Sequence, residues 1–407
     1  MGQGKLRRPE VFGLLVRSFV LRFVLSALFI CGAEVSAWAQ ALSTTLPSVV
    51  LLDAGTGSIL FEKNGAQAQT PASTIKVLTA DVVFAALAAG ELTLDHEFVI
   101  SEHAWRSGGA PSGGSTMFAN LNSHVRVDDL LRGLIIHSAN DAAIALAEGL
   151  DGSEDTFALR MNKQAASLGL NAIHATNPWG RDDPQQKVSA HDMALLAYHL
   201  ISTYPDYYHY FSEKEFTWNK IRQLNRNPLL LMDVGADGLF TGAINNETGF
   251  GLVGSAVQND QRLILVVYGA KSAKERADEA RKIFLWGFHS FDSRTLFADG
   301  ETIGELSLYG GARSTVAVRA AGAVKILLQK GSQERVQGHI LYRGPLRAPI
   351  REGDQLAHLQ LTRGESIILD VPLYAQTSVD QGSLPSRALD AALEWGTGLF
   401  YAHVLKR

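Results

Sequence analysis

Short apolar runs bracket the first two thirds of the chain, and stretches with helical spacing lie between them. Runs at 49–52 and 58–61 flank Asp53-Ala54-Gly55-Thr56-Gly57 and predict a β-hairpin. An alanine-rich apolar stretch follows Pro71 and continues to Ala89, where Gly90 ends it. This predicts a helix with a proline at its entry. Leu130, Leu131, Leu134 and Ile135 recur at helical spacing from about Asp128. The pattern breaks at His137-Ser138-Ala139-Asn140, and a second alanine-rich helix runs to Gly149. Further helices are predicted over 154–168 and 189–201, the latter opened by a Ser189 cap with Asp192 three residues on. Runs at 215–218 and 237–242 read as strands. Those at 251–257 and 263–268 form a hairpin around Asn259-Asp260, before a helix over 273–288. Strands at both ends with helices between predict an antiparallel sheet covered by helices, an α+β layer.

After Phe291 the pattern changes to short, partly alternating runs at 303–308, 315–319, 324–328, 339–342, 356–361 and 366–371, separated by Gly, Pro and charged turns. They predict a small all-β domain. Beyond Pro385, Leu389, Leu393, Trp395, Leu399, Phe400 and Val404 form an apolar stripe. An interfacial membrane helix and a helix docked on the β domain both fit that stripe. Trp395, Phe400 and the terminal Lys406-Arg407 tip the reading toward the membrane.

The first forty residues stand apart. Lys5, Arg7 and Arg8 precede an apolar stretch over roughly 23–33, and Ala37-Trp38-Ala39 fits a small-x-small cleavage site. Residues 1–39 are therefore expected to be a secretory signal peptide. Arg22 and Glu34 leave too short an apolar core for a permanent span. Bulky Ile30 before Cys31 argues against a lipoprotein signal, and Arg7-Arg8 lacks the surroundings of a twin-arginine signal. The 407-residue chain carries a net charge of −4, which argues against nucleic acid as the main partner. Its only cysteine, Cys31, lies in the leader, so the mature protein is expected to form no disulfide and run no thiol or zinc-thiolate chemistry.

Candidate chemistry centres on Ser73-Thr74-Ile75-Lys76. Three residues are nearly one helical turn, so Ser73 and Lys76 share a face. A neutral lysine there can take the serine proton, and the helix N-terminus disfavours a charged lysine while favouring an oxyanion. Taken alone, the spacing is common by chance. Ser138 and Asn140, at the helix break, could equally be capping residues. A loop of small residues, Ser107-Gly108-Gly109-Ala110-Pro111-Ser112-Gly113-Gly114-Ser115, is expected to be irregular and to rim a cleft.

Ser-x-x-Lys, Ser-x-Asn and Lys-Thr-Gly form a set shared by penicillin-binding proteins and class A β-lactamases. Here the third element reads Phe240-Thr241-Gly242. With these motifs, Gly114-Ser115-Thr116-Met117-Phe118, Asn225-Arg226-Asn227-Pro228 and Gly249-Phe250-Gly251-Leu252, the chain resembles a low-molecular-mass penicillin-binding protein of the serine-type D-alanyl-D-alanine carboxypeptidase family. The resemblance implies a penicillin-binding/β-lactamase-like antiparallel sheet flanked by helices over 40–290, a small β domain over 295–380 and an amphipathic tail over 386–407. It implies Ser73 as nucleophile, Lys76 as general base, Ser138 as proton relay and Asn140 as the group holding the substrate amide. The backbone N–H groups of Ser73 and Ala243 would form the oxyanion hole, and Thr241, Gly242 and Arg226 would bind substrate. No metal or cofactor is implied. The implied partners are a peptidoglycan stem peptide, β-lactams that acylate Ser73, and a membrane surface reached by the tail. The implied location is the periplasm, on the outer face of the inner membrane.

Phe240 departs from that pattern. The missing lysine would contact the Ser138 hydroxyl and add charge near the substrate carboxylate. Its loss is expected to cost on the order of a few kcal/mol, or roughly two decades in rate. The ring could also project into the path of the substrate, and Ile244 and Ala243 make the patch less polar still. Three functions are weighed: a working D,D-carboxypeptidase, a catalytically impaired relative that binds peptidoglycan or β-lactam, and a β-lactamase. The last is disfavoured by the lack of a convincing Glu-x-x-Leu-Asn element. The first is preferred because Ser73, Lys76, Ser138 and Asn140 are all present.

Overall fold

The structure is a computed structural model that describes residues 42–243, 249–330, 336–363 and 366–384. The expected signal peptide, the tail from 386, and Ile244 lie outside the described residues. The chain divides into two compact units, one ending at Phe291 and one beginning at Asp292.

The first unit is built on a five-stranded antiparallel sheet. Its strands are β1 (Ser48–Asp53), β2 (Ser58–Lys63), β5 (Ala236–Ala243), β6 (Phe250–Gln258) and β7 (Gln261–Ala270); a separate hairpin supplies β3 (Glu215–Trp218) and β4 (Ile221–Leu224). The order is β2-β1-β7-β6-β5, so the last strand in sequence lies at the centre. β1 is buried along its whole length because both faces are covered. Val50 and Leu52 face one apolar cluster and Val49 and Leu51 the other, which is why the strand reads as an unbroken apolar run. Asn259 and Asp260 both take left-handed backbone angles, as a two-residue turn between twisted strands requires.

Five helices bear on the site or its support: α1 (Lys76–Ala88), α2 (Val127–Ile136), α3 (Asn140–Asp151), α4 (Glu154–Ser167) and α5 (Ala190–Thr203). A sixth, α6 (Ala273–Ser290), covers the other face of the sheet, where Ala280, Ile283 and Phe284 join Val49 and Leu51. Ser153, Ser189 and Ser272 cap α4, α5 and α6, each accepting the backbone N–H three residues on. The helix expected from Pro71 begins differently: Ala72–Ile75 form a 3₁₀ turn, and α1 starts at Lys76. The small-residue loop is also more regular than expected, with a π-helical turn over Ala104–Gly108 and a 3₁₀ turn over Ala110–Ser112. Its glycines permit close packing rather than disorder. A Cβ on Gly108 would lie 2.4 Å from the backbone nitrogen of Asp141.

The second unit is all β among its described residues. It contains β8 (Phe291–Phe297), β9 (Gly304–Tyr309), β10 (Thr315–Arg319), β11 (Val324–Gln329), β12 (Val336–Leu341), β13 (Leu346–Arg347), β14 (Gln355–Arg363) and β15 (Ser366–Ala375). A six-stranded sheet of order β12-β14-β15-β10-β9-β13 is accompanied by the pair β8-β11. Leu306, Val316, Val318, Leu359 and Leu373 give this unit a core of its own. No helix among the described residues is long and apolar enough to cross a membrane.

Candidate active site

Ser73 stands in the 3₁₀ turn ahead of α1, and Lys76 is the first residue of that helix. Lys76 Nζ lies 3.2 Å from Ser73 Oγ, 2.8 Å from Asn140 Oδ1 and 2.7 Å from the Trp179 carbonyl oxygen. The side chain is fully buried, and desolvation pulls its pKa down to about 7, against the opposing pull of the Asp141 charge. A neutral amine has two N–H groups and one lone pair. With the two carbonyl oxygens accepting the N–H groups, the lone pair is left for the Ser73 hydroxyl.

Three segments distant in sequence converge on this lysine. Asn140 opens α3, and its backbone N–H donates to the Ser115 carbonyl at 2.8 Å. The next residue, Asp141, is buried and pins the segment above it. It accepts from Thr116 Oγ1 at 2.6 Å and from the N–H groups of Met117, Ala119 and Ala142. Asn177 performs the same service for the Trp179 loop, its Oδ1 accepting the N–H groups of Trp179, Gly180 and Arg181. Thr79 Oγ1 donates to the Pro178 carbonyl at 2.6 Å and ties that loop to α1. Gly180 adopts a positive φ, and a Cβ there would lie 2.2 Å from the Ala72 carbonyl oxygen, so the loop can approach the serine turn only without a side chain.

The opposite wall is β5. A Cβ on Gly242 would lie 3.0 Å from the Pro71 carbonyl oxygen and 3.2 Å from the Ser73 nitrogen, so the strand runs directly against the serine turn. That approach brings the end of the strand, exposed Ala243, to the same turn. Thr241 Oγ1 contacts the Arg226 carbonyl at 3.4 Å. Arg226 donates to the His137 carbonyl and to Gln223 Oε1, and no carboxylate pairs with it among the described residues. Its guanidinium thus retains donors for an anionic ligand.

Ser138 and Phe240 differ from expectation. Phe240 is 2% exposed and belongs to the main core, edge-on to Phe211 at 5.6 Å between centroids. It does not project into the path of a substrate. Phe240 and Gly242 share one strand face, which points beneath the serine turn, while Thr241 points the other way. Ser138 is 4% exposed with a left-handed backbone, and its buried Oγ has no hydrogen-bond partner. Its neighbour His137 is held neutral: Nε2 lies 3.0 Å from the Phe216 carbonyl, Nδ1 lies 3.2 Å from Gln223 Nε2, and desolvation lowers the pKa.

The structure therefore brings together Ser73, Lys76, Asn140 and Gly242 at one point, with Thr241 and Arg226 alongside. Sequence reasoning missed Trp179, Asn177 and Asp141. Trp179 acts through its backbone carbonyl, which leaves no side-chain signature, although Asn177-Pro178-Trp179-Gly180 marks an irregular loop.

The profile of the D-alanyl-D-alanine carboxypeptidase family matches residues 36–272, and that of the penicillin-binding protein 5 C-terminal domain matches 291–381. The D-alanyl-D-alanine carboxypeptidase DacA of Haemophilus influenzae is 35% identical over 395 residues, covering 95% of this chain and all of that one. The crystal structure of penicillin binding protein 5 from Haemophilus influenzae superposes with a TM-score of 0.74 at 36% identity, over 84% of this chain and 99% of that one. Penicillin-binding protein D2 from Listeria monocytogenes, solved in an ampicillin-bound form, superposes with a TM-score of 0.52 at 28% identity, over 61% and 98%. The chain belongs to the D-alanyl-D-alanine carboxypeptidase family, as a low-molecular-mass penicillin-binding protein of the serine carboxypeptidase type.

Proposed function

We propose that the protein removes the terminal D-alanine from peptidoglycan stem peptides through an acyl-enzyme on Ser73. Neutral Lys76 takes the Ser73 proton as Oγ attacks the carbonyl between the two D-alanines. The oxyanion lies between the N–H groups of Ser73 and Ala243. The proton passes by way of Ser138 to the leaving amine as the C–N bond breaks, and water then hydrolyses the ester. Asn140 holds the substrate amide, and Thr241 and Arg226 take the terminal carboxylate. The observation that carries this reading is the buried Lys76 amine, 3.2 Å from Ser73 Oγ, with its pKa pulled down to about 7. A lysine so placed is a base at neutral pH rather than an ion-pair partner.

β-Lactams present the same carbonyl and carboxylate and acylate the same serine. Labelled penicillin is expected to mark the wild type and leave Ser73→Ala unmarked, and the wild type to release D-alanine from a stem-peptide mimic. A wild type that does neither refutes the reading. Phe240 makes this a carboxypeptidase working without the strand lysine, and the loss falls on expulsion of D-alanine, because the unpartnered Ser138 hydroxyl lies on the proton path to the leaving amine. We further propose export on residues 1–39 and peripheral attachment to the outer face of the inner membrane through residues 386–407.

A further inference from the structure

The loop that supplies an acceptor to Lys76 is tied by its side chain to the rim of the cleft. Trp179 Nε1 donates to Glu154 Oε2 at 2.8 Å, and Glu154 Oε1 lies 2.6 Å from His103 Nε2. His103 Nδ1 in turn lies 3.2 Å from Ser107 Oγ, in the π-helical turn of the rim. Glu154 is the first residue of α4, where the helix N-terminus favours a carboxylate, and its side chain is only 10% exposed. The Arg181 guanidinium lies 5.9 Å from the centroid of the Trp179 ring. Trp179 is thus gripped at both ends, its carbonyl on the candidate base and its indole on Glu154.

We propose that Glu154 is a positioning residue for acyl transfer: through the Trp179 indole it fixes the carbonyl that accepts from Lys76, and so keeps the amine lone pair on Ser73 Oγ. The inference rests on the role of Lys76 as base proposed above. An amine with only Asn140 Oδ1 accepting is free to rotate, and an N–H can then face Ser73 where the lone pair is needed. The ties of the loop from Asn177 and Thr79 act on its backbone, whereas Glu154 hydrogen-bonds the indole, over which the Arg181 guanidinium also lies.

Three variants test this. Glu154→Ala removes the acceptor, and Trp179→Phe keeps a ring but removes the donor. Glu154→Gln keeps an oxygen for the indole while removing the charge. Glu154→Ala and Trp179→Phe are each expected to slow acylation by labelled penicillin about tenfold, and the double variant no further, because both cut one link. The acid limb of the acylation profile is expected to move to lower pH in both, since an amine whose ammonium form has lost one of three acceptors is harder to protonate. Asp141, whose charge acts on Lys76, is untouched by all three. Glu154→Gln should keep the rate within about twofold and the limb in place, which separates loss of the link from loss of charge. Wild-type rates and an unmoved limb in Glu154→Ala and Trp179→Phe overturn the proposal. So does a slower rate with an unmoved limb that follows a fall in melting temperature. A wild type that takes no label refutes the role of Lys76 itself.

Discussion

At position 240 the departure from the family pattern is legible in the sequence, but the direction of the ring is not. Strand alternation puts residues 240 and 242 on one face, and only the fold shows that this face lies under the serine turn. Phe240→Lys therefore exchanges packing for chemistry. Loss of the contact with Phe211 is expected to destabilise the protein by about 2–4 kcal/mol, read as a lower melting temperature. A lysine reaching the unpartnered Ser138 Oγ is expected to raise D-alanine release by about two decades. Unchanged turnover would show that another group already serves Ser138. The base makes a second prediction at this scale. With its pKa at about 7, Lys76 is protonated and idle below that value and neutral above it, so penicillin acylation is expected to rise through a midpoint near pH 7. A midpoint near 10, the range of an exposed lysine, would contradict the buried geometry.

Among the elements, α1 carries the base on one side and a buried acid on the other. Asp81 is wholly buried: Gln164 donates to Oδ2 at 2.7 Å, while Oδ1 has no hydrogen-bond partner and lies 3.6 Å from the similarly unpartnered His199 Nε2. Desolvation pushes Asp81 up from 3.8 to about 7. Between those values the unfolded carboxyl ionises while the folded one stays neutral, so stability falls as pH rises from about 4 to 7, and the loss is complete above 7. Asp81→Asn keeps the acceptor for Gln164 and offers an N–H toward His199. It is expected to stabilise the protein by about 1–3 kcal/mol at pH 8 and by almost nothing at pH 4, measured by urea unfolding. Equal effects at both pH values would show that Asp81 does not titrate on folding. The helices themselves were legible, since the Ser189 cap, the helical spacing of apolar residues and the alanine-rich runs are local signals. The 3₁₀ turn at Ser73 and the ordered rim were not, because glycines that permit close backbone contact read, in one dimension, like glycines that permit disorder.

For the whole molecule, each unit closes a core of its own, which predicts that a chain ending at Phe291 still takes penicillin label at Ser73. Absence of label in a folded truncation would give the second unit a part in the chemistry. Deleting residues 386–407 is expected to move the protein from the membrane fraction to the soluble one. A truncated chain that stays with the membrane would remove the tail from that role. The site was only partly legible because it is a property of the complete fold. Ser73 and Lys76 are neighbours in sequence, whereas Asn140, the Trp179 carbonyl and Gly242 reach them only through tertiary packing.

The order of the sheet also constrains how the chain must be made. β1 is finished at Asp53, yet the strand it pairs with on its inner side, β7, does not begin until Gln261. At ordinary rates of synthesis that interval is about 10–40 s. Throughout it the inner edge of β1 has no strand to pair with, although α5, which packs on one of its faces, is already made. A nascent chain of this topology is expected to gain from a holding chaperone, or from threading unfolded through a pore. In refolding from denaturant β7 is present from the start, but a pairing across so long an interval still forms late, so yields should fall as protein concentration rises.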